Sequence, residues 1–210
     1  MNMNMNQNYD KRTNFFNPPI YDNFKNNKKQ LIYSAGILPY QVNENNKIYF
    51  LLGKDADGNW SDFGGKCEPK DRNNIQETAA REFFEESLNS VINLTSTRNL
   101  LKNKKNYTMI NSKSLAGSSY YMFILRVPMI PDTAKDRFQK TLEYLRFINA
   151  DYQYMEKVDI GWISLDTLLL ILDNSVNEKV VGWKLRKVFK KTLIRNLSTI
   201  LSELKNKHCF

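Results

Sequence analysis

The chain has 210 residues, of which 41% are hydrophobic and 25% charged, with a formal net charge of +9. These are the proportions of a water-soluble chain large enough for one domain with extensions. No apolar run approaches the ~20 residues that span a bilayer, and the Met/Asn alternation at the start has no apolar stretch of the secretory kind.

Two cysteines, Cys67 and Cys209, offer no metal quartet and suit a reducing compartment, so the expected location is cytoplasmic. The charge is uneven. Residues 178–210 hold nine basic and two acidic residues, +7, whereas residues 31–177 come to −1. A basic tail of this kind meets phosphate-rich partners or simply solvates a surface helix.

In chain order, residues 1–29 are rich in Asn and Lys, with Pro18-Pro19 breaking regular structure, and read as a flexible arm ahead of a single domain over 30–210. Gln30–Val42 reads as a strand, Glu44-Asn45-Asn46 as a turn, and Lys47–Gly53 as the antiparallel return. Trp60–Phe63 leads into Gly64-Gly65, and an acidic helix carrying Glu82, Glu85 and Glu86 follows. Val91–Leu94 and Tyr107–Asn111 read as short strands flanking an exposed Lys102–Lys105 loop. Ser118–Val127 is apolar almost throughout and is expected at the centre of a sheet. Asp132 is placed to cap a helix to about Asn149, with Phe138, Leu142, Leu145 and Phe147 or Ile148 on one side. Val158–Ser164 reads as a last strand and Leu165–Leu172 as a helix. A long amphipathic helix over about 177–205 closes the chain, its stripe formed by Leu185, Val188, Thr192 or Leu193, Leu197, Ile200 or Leu201, and Leu204.

The acidic helix carries the chemistry. Glu82, Glu85 and Glu86 stand at i, i+3 and i+4, within an arc of roughly 100° on one face, while Ala80, Phe83, Phe84 and Leu88 fall behind them. Like charges so spaced oppose the helix by a few tenths of a kcal/mol per pair, which cations in the site would relieve.

The order Gly65, five residues, Asp71, nine residues, Arg81-Glu82-Phe83-Phe84-Glu85-Glu86 resembles the signature box of the Nudix hydrolases. It departs from that box in three ways. Asp71 stands for a glutamate, the loop to Arg81 is two residues longer, and Leu88-Asn89 replaces a glycine and an apolar residue. The resemblance implies an α/β/α sandwich on a mixed β-sheet and Mg²⁺- or Mn²⁺-dependent cleavage of a pyrophosphate bond in a nucleoside diphosphate derivative. It implies metal binding by Glu85 and Glu86, a ligand or general-base role for Glu82, and a backbone ligand at Gly65 or Gly64. Arg81 would brace a box glutamate, with Glu77 or Asp71 as its own partner. An acid outside the box would be Glu156, ahead of Glu143 and Asp159.

Two other readings stand beside this one. An RNA 5′-end pyrophosphohydrolase would use the basic C-terminal helix as its RNA contact, and a binding module would keep the scaffold without turnover. Family members are often dimers, so a homodimer is an option, and no membrane partner is implied. Trp60 and Tyr40 are aromatic enough to stack a base, though core packing is their commoner use. The lone His208 reads as a tail residue.

Overall fold

The computed structural model describes residues 33–113, 117–130 and 133–208. The expected N-terminal arm, the first residues of the expected first strand and the expected cap Asp132 lie outside these. Among these residues seven strands form one mixed sheet: β1 (Tyr33–Val42), β2 (Ile48–Asp55), β3 (Trp60–Ser61), β4 (Phe63–Lys66), β5 (Tyr107–Lys113), β6 (Ser119–Arg126) and β7 (Lys157–Ser164). The main order is β3-β2-β1-β6-β5, with β4 on β1 and β7 on β2. Only the β1–β6 pair among these is parallel. β1 is shared along one edge: its second half pairs with β2, and its first half with β4.

Among the described residues five α-helices cover both faces: α1 (Ile75–Glu86), α2 (Leu94–Leu101), α3 (Thr133–Phe147), α4 (Leu165–Leu172) and α5 (Lys187–His208). The period-two alternation of the strands assigns them. Ile37, Leu51, Phe63, Phe123 and Leu125 point to one side and pack with Ala79, Ala80 and Phe83 of α1, Leu101 of α2, and Phe138 and Leu142 of α3. Leu38, Tyr40, Phe50, Leu52 and Ile124 point to the other and meet Leu168 and Ile171 of α4, with Phe189, Leu193, Ile200 and Leu204 of α5. The result is the expected three-layer α/β/α arrangement; β1 is the middle strand, and β6, expected at the centre, is an interior strand between β1 and the edge strand β5. No helix among the described residues is long and apolar enough to cross a membrane.

Four details differ from the sequence reading. Val91–Leu94 is not a strand, because Asn93 accepts a hydrogen bond from the Ser96 amide at 2.8 Å and so starts α2. The last helix begins at Lys187 rather than near 177. Ahead of it Leu185 bridges Trp60, whose backbone N–H and C=O bond Lys184 and Arg186, and Gly182 turns with φ +77°. That shift of start moves the stripe, so Phe189 is buried and Val188 is 71% exposed. On α3, Phe138 and Leu142 are buried, but Phe147 and the following Ile148 face solvent. His208 ends α5 rather than lying in a tail.

Candidate active site

The site is built where β4 meets α1. Gly36 of β1 and Gly64 of β4 are cross-strand partners. A Cβ on Gly64 would lie 2.6 Å from the Gly36 Cα and 2.9 Å from the Ala35 oxygen, so a side chain there would push the two strands apart. Gly65, next along, has the Glu82 carboxylate where its own Cβ would point, 2.6 Å away. The glycine pair thus lets α1 lay its acids directly against the backbone.

Between β4 and α1 the chain makes a short 3₁₀ turn, Pro69–Asp71, followed by two residues in the left-handed region, Arg72 (φ 52°) and Asn73 (φ 57°). Asn74 then caps α1, its side chain accepting from the Gln76 and Glu77 amides. The two extra residues of the loop are absorbed in this double left-handed turn, and Asp71 still reaches the helix. Its carboxylate takes Nε and Nη2 of Arg81 at 2.8 and 3.0 Å, the Thr78 hydroxyl at 2.9 Å and the Glu68 amide at 2.9 Å. Burial opposes charge on Asp71, but these donors outweigh it and hold its carboxyl below the usual value. At the other end of α1, Leu88 (φ 51°) and Asn89 (φ 55°) occupy left-handed backbone. The glycine of the family box would adopt this freely, whereas a leucine pays roughly 1–2 kcal/mol.

Arg81 is the hub. Beyond Asp71 it bonds Glu85 through Nη1 at 2.9 Å and the Lys66 carbonyl through Nη2 at 2.9 Å, and it pairs with Glu82 at 2.9 Å and Glu68 at 3.2 Å. Of its two expected partners, Asp71 is therefore the one engaged, and Glu77 pairs with Arg98. Ringing one guanidinium, Glu68, Glu82 and Glu85 bring ligand oxygens to within 4.8 Å of one another. All the donors are hard oxygens, the set that divalent Mg²⁺ or Mn²⁺ prefers. Burial, only partly offset by Arg81, pushes Glu82 up to about 7, so an uncompensated charge there is costly.

Glu86 lies deeper, 6% exposed. One oxygen accepts the Gly64 amide at 2.7 Å and the other lies 3.6 Å from the Lys157 ammonium. Burial raises it to about 8, with Lys157 pulling the other way. Glu156 is exposed at the start of β7, close enough that its charge adds to the rise at Glu82. Asp159 instead pairs with Lys135 on α3, and Glu143 is exposed on that helix.

Sequence reasoning missed three groups. Lys157 is buried and donates to Asp55 at 2.6 Å and Ser61 at 2.8 Å. Glu68 joins the carboxylate ring. Asp62, buried beside the glycine pair, accepts a short hydrogen bond from Tyr120 and is pushed up to about 6 by burial. The box spacing signals none of the three, although a Glu-Pro after two glycines marks Glu68 as the start of a turn.

On the other side of Gly64 and Gly65 lies a cavity of about 340 Å³, lined among others by Asp62, Lys66, Tyr120, Arg186 and Thr192. Neither Trp60 nor Tyr40 lines it. Tyr40 is in the core, and Trp60 packs against the tilted ring of Trp183, centroids 4.4 Å apart, and donates to the Gly182 carbonyl.

No family model matches the chain, and no curated protein matches it in sequence. Solved structures do resemble it. An Ap4A hydrolase from C. elegans is 18% identical with a TM-score of 0.40, covering 80% of this chain and 98% of its own. The Nudix hydrolase RenU from M. smegmatis is 12% identical with a TM-score of 0.43, over 81% and 86% of the two chains. A NUDIX hydrolase from Nitrosomonas europaea is 14% identical with a TM-score of 0.41, over 86% and 75%. Scores and identities this low carry no argument about chemistry, which has to be read from the site's own atoms.

Proposed function

We propose that the protein is a Mg²⁺- or Mn²⁺-dependent hydrolase that cleaves the pyrophosphate bond of a nucleoside diphosphate derivative. The observation that carries this reading is the convergence of Glu68, Glu82 and Glu85 beside Gly65, a residue that also lines a cavity of about 340 Å³. Carboxylates alone repel a pyrophosphate, so the pairing of an acid ring with a ligand-sized cavity makes sense once a cation joins them.

In this reading Glu68, Glu82 and Glu85 hold the metal, with the Gly65 backbone alongside. A bound divalent cation would neutralise phosphate oxygens and polarise the attacking water. The chain's own residues do the rest. Arg81 fixes the three carboxylates relative to one another and to Asp71, so the ring is organised before substrate arrives. Lys66 and Arg186 at the cavity rim place positive charge along the path of the phosphates. Asp62 and Tyr120 offer a buried acceptor and a hydroxyl to the group that fills the cavity. Glu156, exposed and within electrostatic reach of Glu82, would take a proton from water. Glu86, which the family resemblance adds to the ligands, is turned toward Lys157 and Gly64.

The RNA-end alternative draws support from one feature. Arg186, at the cavity rim, continues into an exposed row of Lys187, Lys191 and Arg195 on α5, a surface suited to a phosphate backbone leaving the site. Both readings are tested by measuring nucleoside monophosphate or phosphate release from a panel of nucleotides and 5′-capped or triphosphorylated RNA, with Mg²⁺ or with EDTA. Metal-dependent release by the native chain, reduced at least a hundredfold in Glu85→Gln, is expected. Release that persists in EDTA would overturn the proposal.

A further inference from the structure

In the cavity beside Gly64 and Gly65, two polar side chains offer lone pairs and no proton. Asp62 is 7% exposed and lies on the lining, where its carboxylate accepts a hydrogen bond from the Tyr120 hydroxyl. That bond uses the one proton Tyr120 has. Ser61, the neighbouring lining residue, is committed as well. Its hydroxyl donates to the Asp62 carbonyl at 3.0 Å and accepts from the Lys157 ammonium at 2.8 Å. Lys157 and Arg186 favour the Asp62 charge, and Glu86 is close enough for the two acids to oppose one another. Among the described residues, however, no side chain besides Tyr120 donates to the Asp62 carboxylate.

The sheet is built to seat this pair. Tyr120 stands on β6 and reaches over the step between Gly36 and Gly64. A Cβ on Gly64 would come within 2.5 Å of its hydroxyl oxygen, and one on Gly36 would collide with it too. The glycines on this face thus make room for a phenol, as Gly65 makes room for Glu82. The rest of the lining includes the apolar Met122 and Phe189 and the cations Lys66 and Arg186. Thr192 lines it as well, but its hydroxyl turns to donate or accept and so sets no preference. At about 340 Å³, the space lies at the lower end of the roughly 300–1,000 Å³ of small-molecule sites.

We propose that Asp62 and Tyr120 read the nucleobase of the substrate and select one that carries an exocyclic amino group. An amino group brings two N–H donors to two acceptors. A carbonyl in the same place sets its oxygen against a buried carboxylate with no proton between them. The ring N–H of an oxo base supplies one donor but brings such a carbonyl beside it. A site that leaves a buried polar group unpaired rejects the wrong ligand far more strongly than an apolar pocket rejects a change of size. The substrate class is therefore an adenine, cytosine or guanine derivative, with uracil, thymine and hypoxanthine disfavoured. The inference rests on the reading that the cavity takes the nucleoside end of a nucleoside diphosphate derivative.

The test is binding of nucleoside 5′-monophosphates to the full chain by titration calorimetry. It is run in EDTA at about pH 8, above the value of about 6 to which burial pushes Asp62. Working without metal keeps the result apart from the acid ring. Three pairs of probes differ at one amino position: the adenosine and inosine, cytidine and uridine, and guanosine and inosine monophosphates. In at least one pair the amino partner should bind the native chain at least tenfold more tightly. Asp62→Asn keeps the shape and an acceptor for Tyr120 but turns N–H groups into the cavity, so that preference should fall at least threefold or reverse. If circular dichroism shows that this variant does not fold, the pairs on the native chain decide alone. Less than tenfold preference in every pair would overturn the inference, and so would a folded Asp62→Asn whose preference falls less than threefold. No monophosphate bound by the native chain would overturn it too, while metal-dependent product release would still decide the hydrolase reading separately.

Discussion

Replacing Arg81 by lysine keeps the charge and removes the fork, so it isolates what the guanidinium geometry contributes. Arg81 donates twice to Asp71, once to Glu85 and once to the Lys66 carbonyl, all between 2.8 and 3.0 Å, and its side chain is 9% exposed. A lysine ammonium reaching the same place satisfies about half of these, leaving about two charge-assisted hydrogen bonds unmade. Each contributes roughly 1.5–3 kcal/mol. Asp71, 3% exposed, loses its bidentate partner but keeps Thr78 and the Glu68 amide, which limits the penalty. The expected loss is about 3 kcal/mol. For a domain of this size that lowers the melting temperature by about 6–12 °C. Urea unfolding in EDTA, followed by tryptophan fluorescence, measures it directly. Part of the loss should return in millimolar Mn²⁺, because a cation also draws Glu82 and Glu85 together. An Arg81→Lys variant within about 0.5 kcal/mol of the native chain would refute the hub role assigned to this fork.

Three further outcomes follow from the same geometry. Without metal, stability should fall as pH rises from about 4.5 to about 8, because folded Glu82 and Glu86, pushed up to about 7 and about 8, hold protons that the unfolded chain releases near 4.5. Asp71, held low, acts only below its ordinary value of 3.8. A melting temperature that is flat across that window in EDTA would count against the buried acids, and Mg²⁺ stabilisation should grow as the pH rises. Gly65→Ala places a Cβ 2.6 Å from the Glu82 carboxylate, so it should weaken Mn²⁺ binding at least tenfold; unchanged affinity would contradict the contact. Arg72→Gly relieves a left-handed, exposed arginine at φ 52° and should raise unfolding stability by roughly 1 kcal/mol without affecting turnover.

The helix with the box was legible because its acids and its apolar residues follow the 3.6 period, and the burial of Ala80 and Phe83 agrees with that orientation. The strands around Ile37, Phe50 and Phe123 were legible from the run of apolar and β-branched residues alone. Three features were missed, one local and two set by distant contacts. Val91-Ile92 reads as strand until Asn93 is seen to cap a helix. The start of α5 is set by Leu185 pairing with Trp60, more than a hundred residues earlier, and that contact decided that Phe189 rather than Val188 faces the core. Lys157, Asp62 and Glu68 belong to the site because three strands and a turn converge on the glycine pair, a matter of topology that no spacing along the chain encodes. The depth of Glu86 was hidden for the same reason, since the helical wheel puts it beside Glu82 and Glu85 but does not show the lysine beneath it.

The central claim is that water attacks phosphorus in a metal-dependent reaction organised by Glu82 and Glu85. Turnover of a nucleoside diphosphate derivative in ¹⁸O-labelled water with Mg²⁺, with products read by ³¹P resonance, tests it most directly. One labelled oxygen should enter a phosphate product per bond cleaved, with none in EDTA and at least a hundredfold less in Glu82→Gln or Glu85→Gln. Products formed without label, or label entering at the native rate in either variant, would contradict the claim.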